Sequence, residues 1–118
     1  MNKSVLIGNV GNDVKSTQFE NGTTTANLSL ATKDFYTNAA GEKVEETQWH
    51  NIVAFGKTAE YLTNYVKKGD SLAVDGKIRY RSYDNKDGVK VNVTEILAKS
   101  VTHFSKSGKA TTKTDEEN

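Results

Sequence analysis

The run Lys57-Thr58-Ala59-Glu60-Tyr61-Leu62-Thr63-Asn64-Tyr65-Val66-Lys67-Lys68, closed by Gly69, is the one place where the chain leaves a two-residue rhythm. Ala59, Leu62, Tyr65 and Val66 recur at helical spacing and share one face. Thr58 suits the N-cap, Lys67 and Lys68 suit the negative end of the helix dipole, and Gly69 suits the position just past it. The spacing predicts a helix over 57–68. On either side the pattern is strand-like. Lys3–Val10 holds the apolar run Val5-Leu6-Ile7, and Val14–Glu20 leads into the hairpin turn Asn21-Gly22. Thr23–Tyr36 alternates through Ala26, Leu28 and Leu30, and Val44–Phe55 follows the small-residue turn Asn38–Gly41. After the helix come Leu72–Tyr83, the tip Asp84–Gly88, and Val89–Phe104. Three long strands, a helix and two strands predict an all-β fold: a five-stranded OB-fold barrel with one α-helix between strands 3 and 4. Other small β-barrels thread the same elements.

The length of 118 residues allows one domain, 1–104, followed by a polar tail. Residues 105–118 contain a single apolar residue, Ala110, too little to offset ordering entropy, so a short disordered tail is expected. Only 35% of residues are hydrophobic, which makes subunit association an expectation from the outset. Lys+Arg is 16 against Asp+Glu 15, so any basic function rests on local clustering. The absence of Cys excludes disulfides and thiolate chemistry and fits a reducing compartment. No apolar run is long enough to span a membrane, and the run ending at Gly8 is short for a signal peptide. A cytoplasmic location is the expectation, and the sequons at Asn2, Asn21, Asn27 and Asn92 carry no weight.

Catalytic motifs fail on spacing. Gly56-Lys57-Thr58 resembles the end of a P-loop, but position 51 is Asn rather than the required Gly. Gly8-Asn9-Val10-Gly11 lacks the third Gly of a dinucleotide fingerprint. The two histidines, His50 and His103, stand apart from any nucleophile or ligand cluster. No catalytic residue, metal site or cofactor is expected.

Aromatic and cationic residues interleave instead. Alternation places Lys77, Arg79, Arg81 and Tyr83 on one strand face, with Ile78 and Tyr80 turned toward the core. Three cations in a row repel one another, and a polyanion would relieve them. Trp49, Asn51, Val53 and Phe55 share one face of their strand, and His50, Ile52 and Ala54 the other. Trp49 is then either core or a stacking surface. Phe35-Tyr36 ends the preceding strand near Lys33. Exposed rings stack on unpaired bases, and cations hold phosphates, so the pattern favours single strands over duplex.

Met1–Asp13, Ala26–Thr32, Glu46–Glu60, Tyr65–Asp70 and Val74–Tyr83 together resemble the bacterial-type single-stranded DNA-binding proteins over residues 1–104, in the manner of a phage-encoded or plasmid-borne member. The resemblance implies a non-enzymatic OB-fold homotetramer, or a dimer, that coats single-stranded DNA without sequence preference in replication, recombination and repair. It implies that Tyr36, Trp49, Phe55 and Tyr83 stack on bases, and that Lys57, Lys68, Arg79 and Arg81 contact phosphates. Lys33 and Lys77 join this set from the strand pattern. It also implies that Lys3, Val5 and Ile7 lie on a dimer-forming edge and that His50 lies near subunit contacts. Tyr36 and Tyr83 stand where the family often has Trp, and Thr37-Asn38 where it often has charge. The ending Asp115-Glu116-Glu117-Asn118 keeps the family's acidity without its apolar last residue, which weakens the expectation that the tail recruits repair proteins. An OB-fold adaptor for protein and an RNA-binding OB domain are the competing readings. Strand order and the run Thr47-Gln48-Trp49-His50 argue against the latter.

Overall fold

A computed structural model describes residues 1–104 and 110–114. The elements are β1 (Ser4–Val10), β2 (Lys15–Gln18), β3 (Thr24–Thr37), β4 (Lys43–Phe55), α1 (Gly56–Tyr65), β5 (Ser71–Asp84), β6 (Lys90–Phe104) and β7 (Ala110–Thr114). Hydrogen bonding runs β1-β5-β6-β4-β3, and a short β3–β1 pairing at Asn9↔Ala31 and Val10↔Leu30 closes the ring. Among the described residues only β4 and β6 run parallel, meeting at Ile52↔Ile96 and Val53↔Leu97. This is the expected five-stranded OB-fold barrel with its helix between the third and fourth barrel strands. β2 extends the sheet beyond β3.

The alternating residues Ala26, Leu28 and Leu30 of β3 meet Ile52 and Ala54 of β4, Leu72 and Val74 of β5, and Ile96, Ala98 and Val101 of β6 in one core. Helix α1 adds Ala59 and Leu62 to it, both without solvent exposure. Closure requires very close approach at two glycines. A Cβ on Gly8 would stand 2.1 Å from the Ala31 carbonyl oxygen, and one on Gly76, opposite a bulge at Lys99 of β6, 2.2 Å from that of Leu97. Any larger residue would push the strands apart.

The same loop joins two hairpins. In Asn38-Ala39-Ala40-Gly41 and Asn85-Lys86-Asp87-Gly88, the Asn Oδ1 accepts two backbone N–H bonds at 2.9–3.0 Å and the Gly takes a φ of about +80° (80° and 77°). The sequence of each loop therefore sets where β4 and β6 begin. Asn21-Gly22 departs from the two-residue turn expected. Phe19 N–H bonds the Thr23 carbonyl, and Gly22 alone takes positive φ, 87°.

The helix is shorter than its pattern suggests. It stops at Tyr65, where Val66 N–H closes on the Leu62 carbonyl at 3.1 Å, so Lys67 and Lys68 fall in the following turn rather than the last helical turn. Phe55 occupies the N-cap position without a side-chain cap bond, and Thr58 lies buried inside the helix. Tyr65 is 62% exposed because it sits on the edge of the apolar stripe farthest from Ala59. Tyr80 is likewise exposed, at 76%, because the distal part of the β5–β6 hairpin extends past the core that Ile78 still touches.

The expected tail also needs correction. Ala110–Thr114 pairs antiparallel with Ser100–Phe104, and hydroxyl bonds join Thr102 to Thr112 and Thr114 to Ser100. The rest of the expected disordered tail, 105–109 and 115–118, lies outside the described residues. The edge of β6 offers unpaired backbone groups, which a short threonine-rich segment satisfies without burying a core of its own.

Candidate nucleic-acid interface

Register decides which side chains share a surface. β3 and β4 align Ala31 with Trp49 and Phe35 with Glu45. β5 and β6 align Lys77 with Leu97, Arg79 with Glu95, Arg81 with Val93 and Tyr83 with Val91. With Val53 beside Leu97 across the parallel pair, all these residues lie on the outside of one curved sheet. The face thus carries Lys33 and Phe35 of β3, Trp49, Asn51, Val53 and Phe55 of β4, and Lys77, Arg79, Arg81 and Tyr83 of β5.

Trp49 is 64% exposed, which resolves its two readings in favour of a surface ring. Its indole lies against Gly11, where an added Cβ would come within 2.2 Å of Cζ3. A flat ring on a bare backbone leaves its other face open for stacking. Phe35 and Tyr83 are also exposed, while Phe55 is half-buried at the end of β4. Cations stand close to three of these rings. Lys43 Nζ is 4.7 Å from the Phe35 centroid, and the Arg79 and Arg81 guanidiniums are 6.0 Å from Phe55 and 5.8 Å from Tyr83.

The arginine row does not stand bare. The side chain of Glu95 is only 2% exposed, and its Oε1 accepts from Arg79 Nε at 2.8 Å, Arg79 Nη2 at 2.5 Å and Arg81 Nε at 3.1 Å. One buried carboxylate therefore holds both guanidiniums from beneath, and mutual repulsion needs no outside anion to relieve it. The pair keeps a net positive charge and remains partly open to solvent, with side-chain exposures of 36% for Arg79 and 50% for Arg81. Beside it a cleft of about 310 Å³ is lined by Asn12, Lys15, Asn51, Arg81, Val93 and Glu95, among others.

The remaining expected site residues distribute unevenly. Lys77 is exposed on the face and borders a second cleft with Lys3, Phe55 and Lys99. Lys33 is on the face and pairs with Glu45 at 3.5 Å. Tyr36 aligns with Val44 and therefore points to the opposite side of the hairpin from Trp49, while its neighbour Phe35 takes the place on the face. Continuing the alternation from Ala31 through Lys33 identifies Phe35. Lys57 is at the start of α1, around the corner of the barrel from the arginines. Lys68 is in the turn whose Gly69 N–H bonds Val10, one residue from the Gly11 contact with Trp49. Glu95 and Lys43 escaped the sequence reading because their partners are set by register alone.

On the other side of the barrel, Val5 and Ile7 are 61% and 68% exposed. β1 pairs with β5 along Ser4–Asn9 but with β3 only at Asn9 and Val10, so its other edge from Ser4 to Gly8 is unpaired among the described residues. Lys3 pairs with Asp75 at 3.6 Å. His50 is half-buried and faces away from Trp49, with Nε2 2.9 Å from Thr32 Oγ1.

A closed OB barrel with rings and cations along one outer face defines an oligonucleotide-binding type of protein. The chain belongs to the single-strand binding protein family, whose model matches residues 1–104. It is 44% identical over 110 residues to a single-stranded DNA-binding protein of Bacteroides thetaiotaomicron, covering 92% of this chain and 68% of that one. It is 38% identical to one of Neisseria meningitidis, covering 83% of this chain and 56% of that one. Among solved structures, the Plasmodium falciparum SSB complex with ssDNA superposes with a TM-score of 0.78 at 29% identity, over 83% of this chain and 86% of that one. The single-stranded DNA-binding protein from Thermus aquaticus gives a TM-score of 0.79 at 26% identity, over 94% of this chain and 54% of that one. The chain thus spans between half and three quarters of the length of several relatives.

Proposed function

We propose that this chain coats single-stranded DNA without sequence preference, by stacking bases on Trp49, Phe35, Tyr83 and Phe55 and holding phosphates with Lys77, Arg79 and Arg81. The observation that carries the reading is the shared register of these side chains on one outer face, with Trp49 open to solvent. Stacking contributes about 1–3 kcal/mol per base and accepts any base. Duplex bases are already stacked, so the face favours single strands. Lys33, Lys57 and Lys68 would guide the backbone at the margins, and Tyr36 is an accessory ring on the far side of the hairpin.

In the same reading the exposed apolar edge of β1, Lys3 through Ile7, is where copies associate, as a homotetramer built from dimers. Pairing this edge would cover Val5 and Ile7 and satisfy its free backbone groups. His50 is a structural residue there, not a catalyst. The protein would act in the cytoplasm, during replication, recombination and repair, as a binding protein without catalytic activity. Recruitment of replication or repair proteins is a separate proposal.

The test is a native gel shift with mixed-sequence single-stranded DNA, RNA of the same length and duplex. Similar retardation of unrelated single-stranded sequences, with little of duplex, supports the reading. Retardation of one sequence alone, or of duplex equally, refutes it. RNA bound more tightly than DNA would favour the RNA-binding alternative.

A further inference from the structure

Phe55 stands at a corner. On one side it meets Arg79 on the outer face, and on the other it borders a third cleft, about 940 Å³, between α1 and β7. That cleft has the same chemistry as the face, on different elements. Tyr61 and Tyr65 pack ring to ring at 5.0 Å with an interplanar angle of 34°. Lys113 of β7 reaches over Tyr61, 5.8 Å from its centroid, and Lys57 lies on the rim with Glu60.

The two tyrosines are not equivalent. Tyr61 is held from behind: its hydroxyl is 2.8 Å from His103 Nδ1, and His103 Nε2 is 2.8 Å from Asp70 Oδ2, with both of those residues buried. That relay fixes the Tyr61 ring as a rigid backing. Tyr65 rests on it with 62% of its surface open. A packed core residue would not be so exposed. A ring backed by an immobilised ring, in a cleft that two lysines also line, is a stacking platform at low ordering cost.

We propose that the cleft between α1 and β7 is a second base-stacking site, taking the single strand as it passes Phe55 and leaves the barrel face. A base stacks on Tyr65, and Lys57 and Lys113 hold the flanking phosphates. The inference rests on the outer face binding single-stranded DNA, because the strand reaches the cleft by continuity through Phe55. Charge favours the same occupant, since among the described residues two lysines outweigh one carboxylate on the rim.

The test compares the 118-residue wild-type chain, Tyr65→Ala and Lys113→Gln over a length series of oligo(dT), with Trp49 fluorescence as the readout. A parallel arm irradiates bromodeoxyuridine-substituted strands and maps crosslinked peptides. Tyr65 is exposed and Lys113 lies on an edge strand, so both variants should fold, which unchanged melting verifies. Short strands that fill only the face should bind all three proteins alike. Longer strands should bind Tyr65→Ala about 5- to 150-fold more weakly than wild type. Lys113→Gln should lower the salt slope by about 0.7. Crosslinks should appear in the peptide containing Tyr65 with long strands only. Normal Trp49 quenching, with wild-type affinity of Tyr65→Ala at every length and no Tyr65 crosslink, overturns the second site and leaves the outer face standing. Absence of Trp49 quenching in wild type, with no gel shift, overturns both.

Discussion

Replacing Glu95 by Gln isolates the charge that lies beneath the arginine pair while keeping an acceptor oxygen in the same place. In the wild type, one carboxylate oxygen takes three N–H bonds from Arg79 and Arg81. Two guanidiniums and one carboxylate leave a net charge of +1 on the cluster. The substitution raises it to +2. Hydrogen bonds to charged groups contribute about 1.5–3 kcal/mol. Both arginines are more than a third exposed, so water recovers part of what they lose, and the low end, about 1.5 kcal/mol, is the expected cost. At roughly 4 °C per kcal/mol for a chain of this size, Tm should fall by about 6 °C. Binding should move the other way in its salt dependence. The added charge should steepen the plot of log K against log salt by about 0.7 for a single strand. Melting by circular dichroism and oligo(dT) titration at several salt concentrations measure the two effects. A steeper slope with a lower Tm is the expected pair. An unchanged slope would show that Arg79 and Arg81 do not face phosphate and refute the charge argument, whatever happens to Tm.

Further substitutions probe the stacking ring, the face register and the β1 edge. Trp49→Ala should weaken oligo(dT) binding by about 1–3 kcal/mol with little change in melting, since the ring is largely in solvent; a stability loss of about 3–5 kcal/mol would instead mark it as core. Phe35→Ala should weaken binding more than Tyr36→Ala, because register puts Phe35 on the face and Tyr36 behind it; gel shifts giving the reverse order would refute the assignment. Ile7→Asp should convert the associated species to a smaller one in sedimentation velocity, because it places a charge on the open edge of β1; an unchanged sedimentation coefficient would place the subunit contact elsewhere.

Local rules made much of the barrel legible. The stripe Ala59, Leu62 and Val66 revealed the helix, because only helical spacing brings those residues together against the core. Alternation along Lys77–Tyr83 and Trp49–Phe55 revealed two strands of the face. What stayed hidden depends on contacts between distant segments. Nothing near Arg79 in sequence announces Glu95, which meets it only once β5 and β6 take their register. Thr58 resembled an N-cap because cap preference is local, whereas its burial follows from where α1 packs. Residues 110–114 are poor in apolar groups, and their strand exists because β6 offers an edge to pair with. Resemblance alone points to Tyr36, whereas the two-residue period from Ala31 reaches Phe35.

The single Trp, Trp49, reports directly on whether a strand occupies the outer face. Oligo(dT), the same length of RNA and duplex DNA are titrated into the protein while Trp49 fluorescence is followed at low and high salt. Strong quenching by oligo(dT), little by duplex, and affinity that falls as salt rises are expected. Full retardation of oligo(dT) on a gel without any quenching of Trp49 would contradict that expectation, since the strand would then be bound somewhere other than this face.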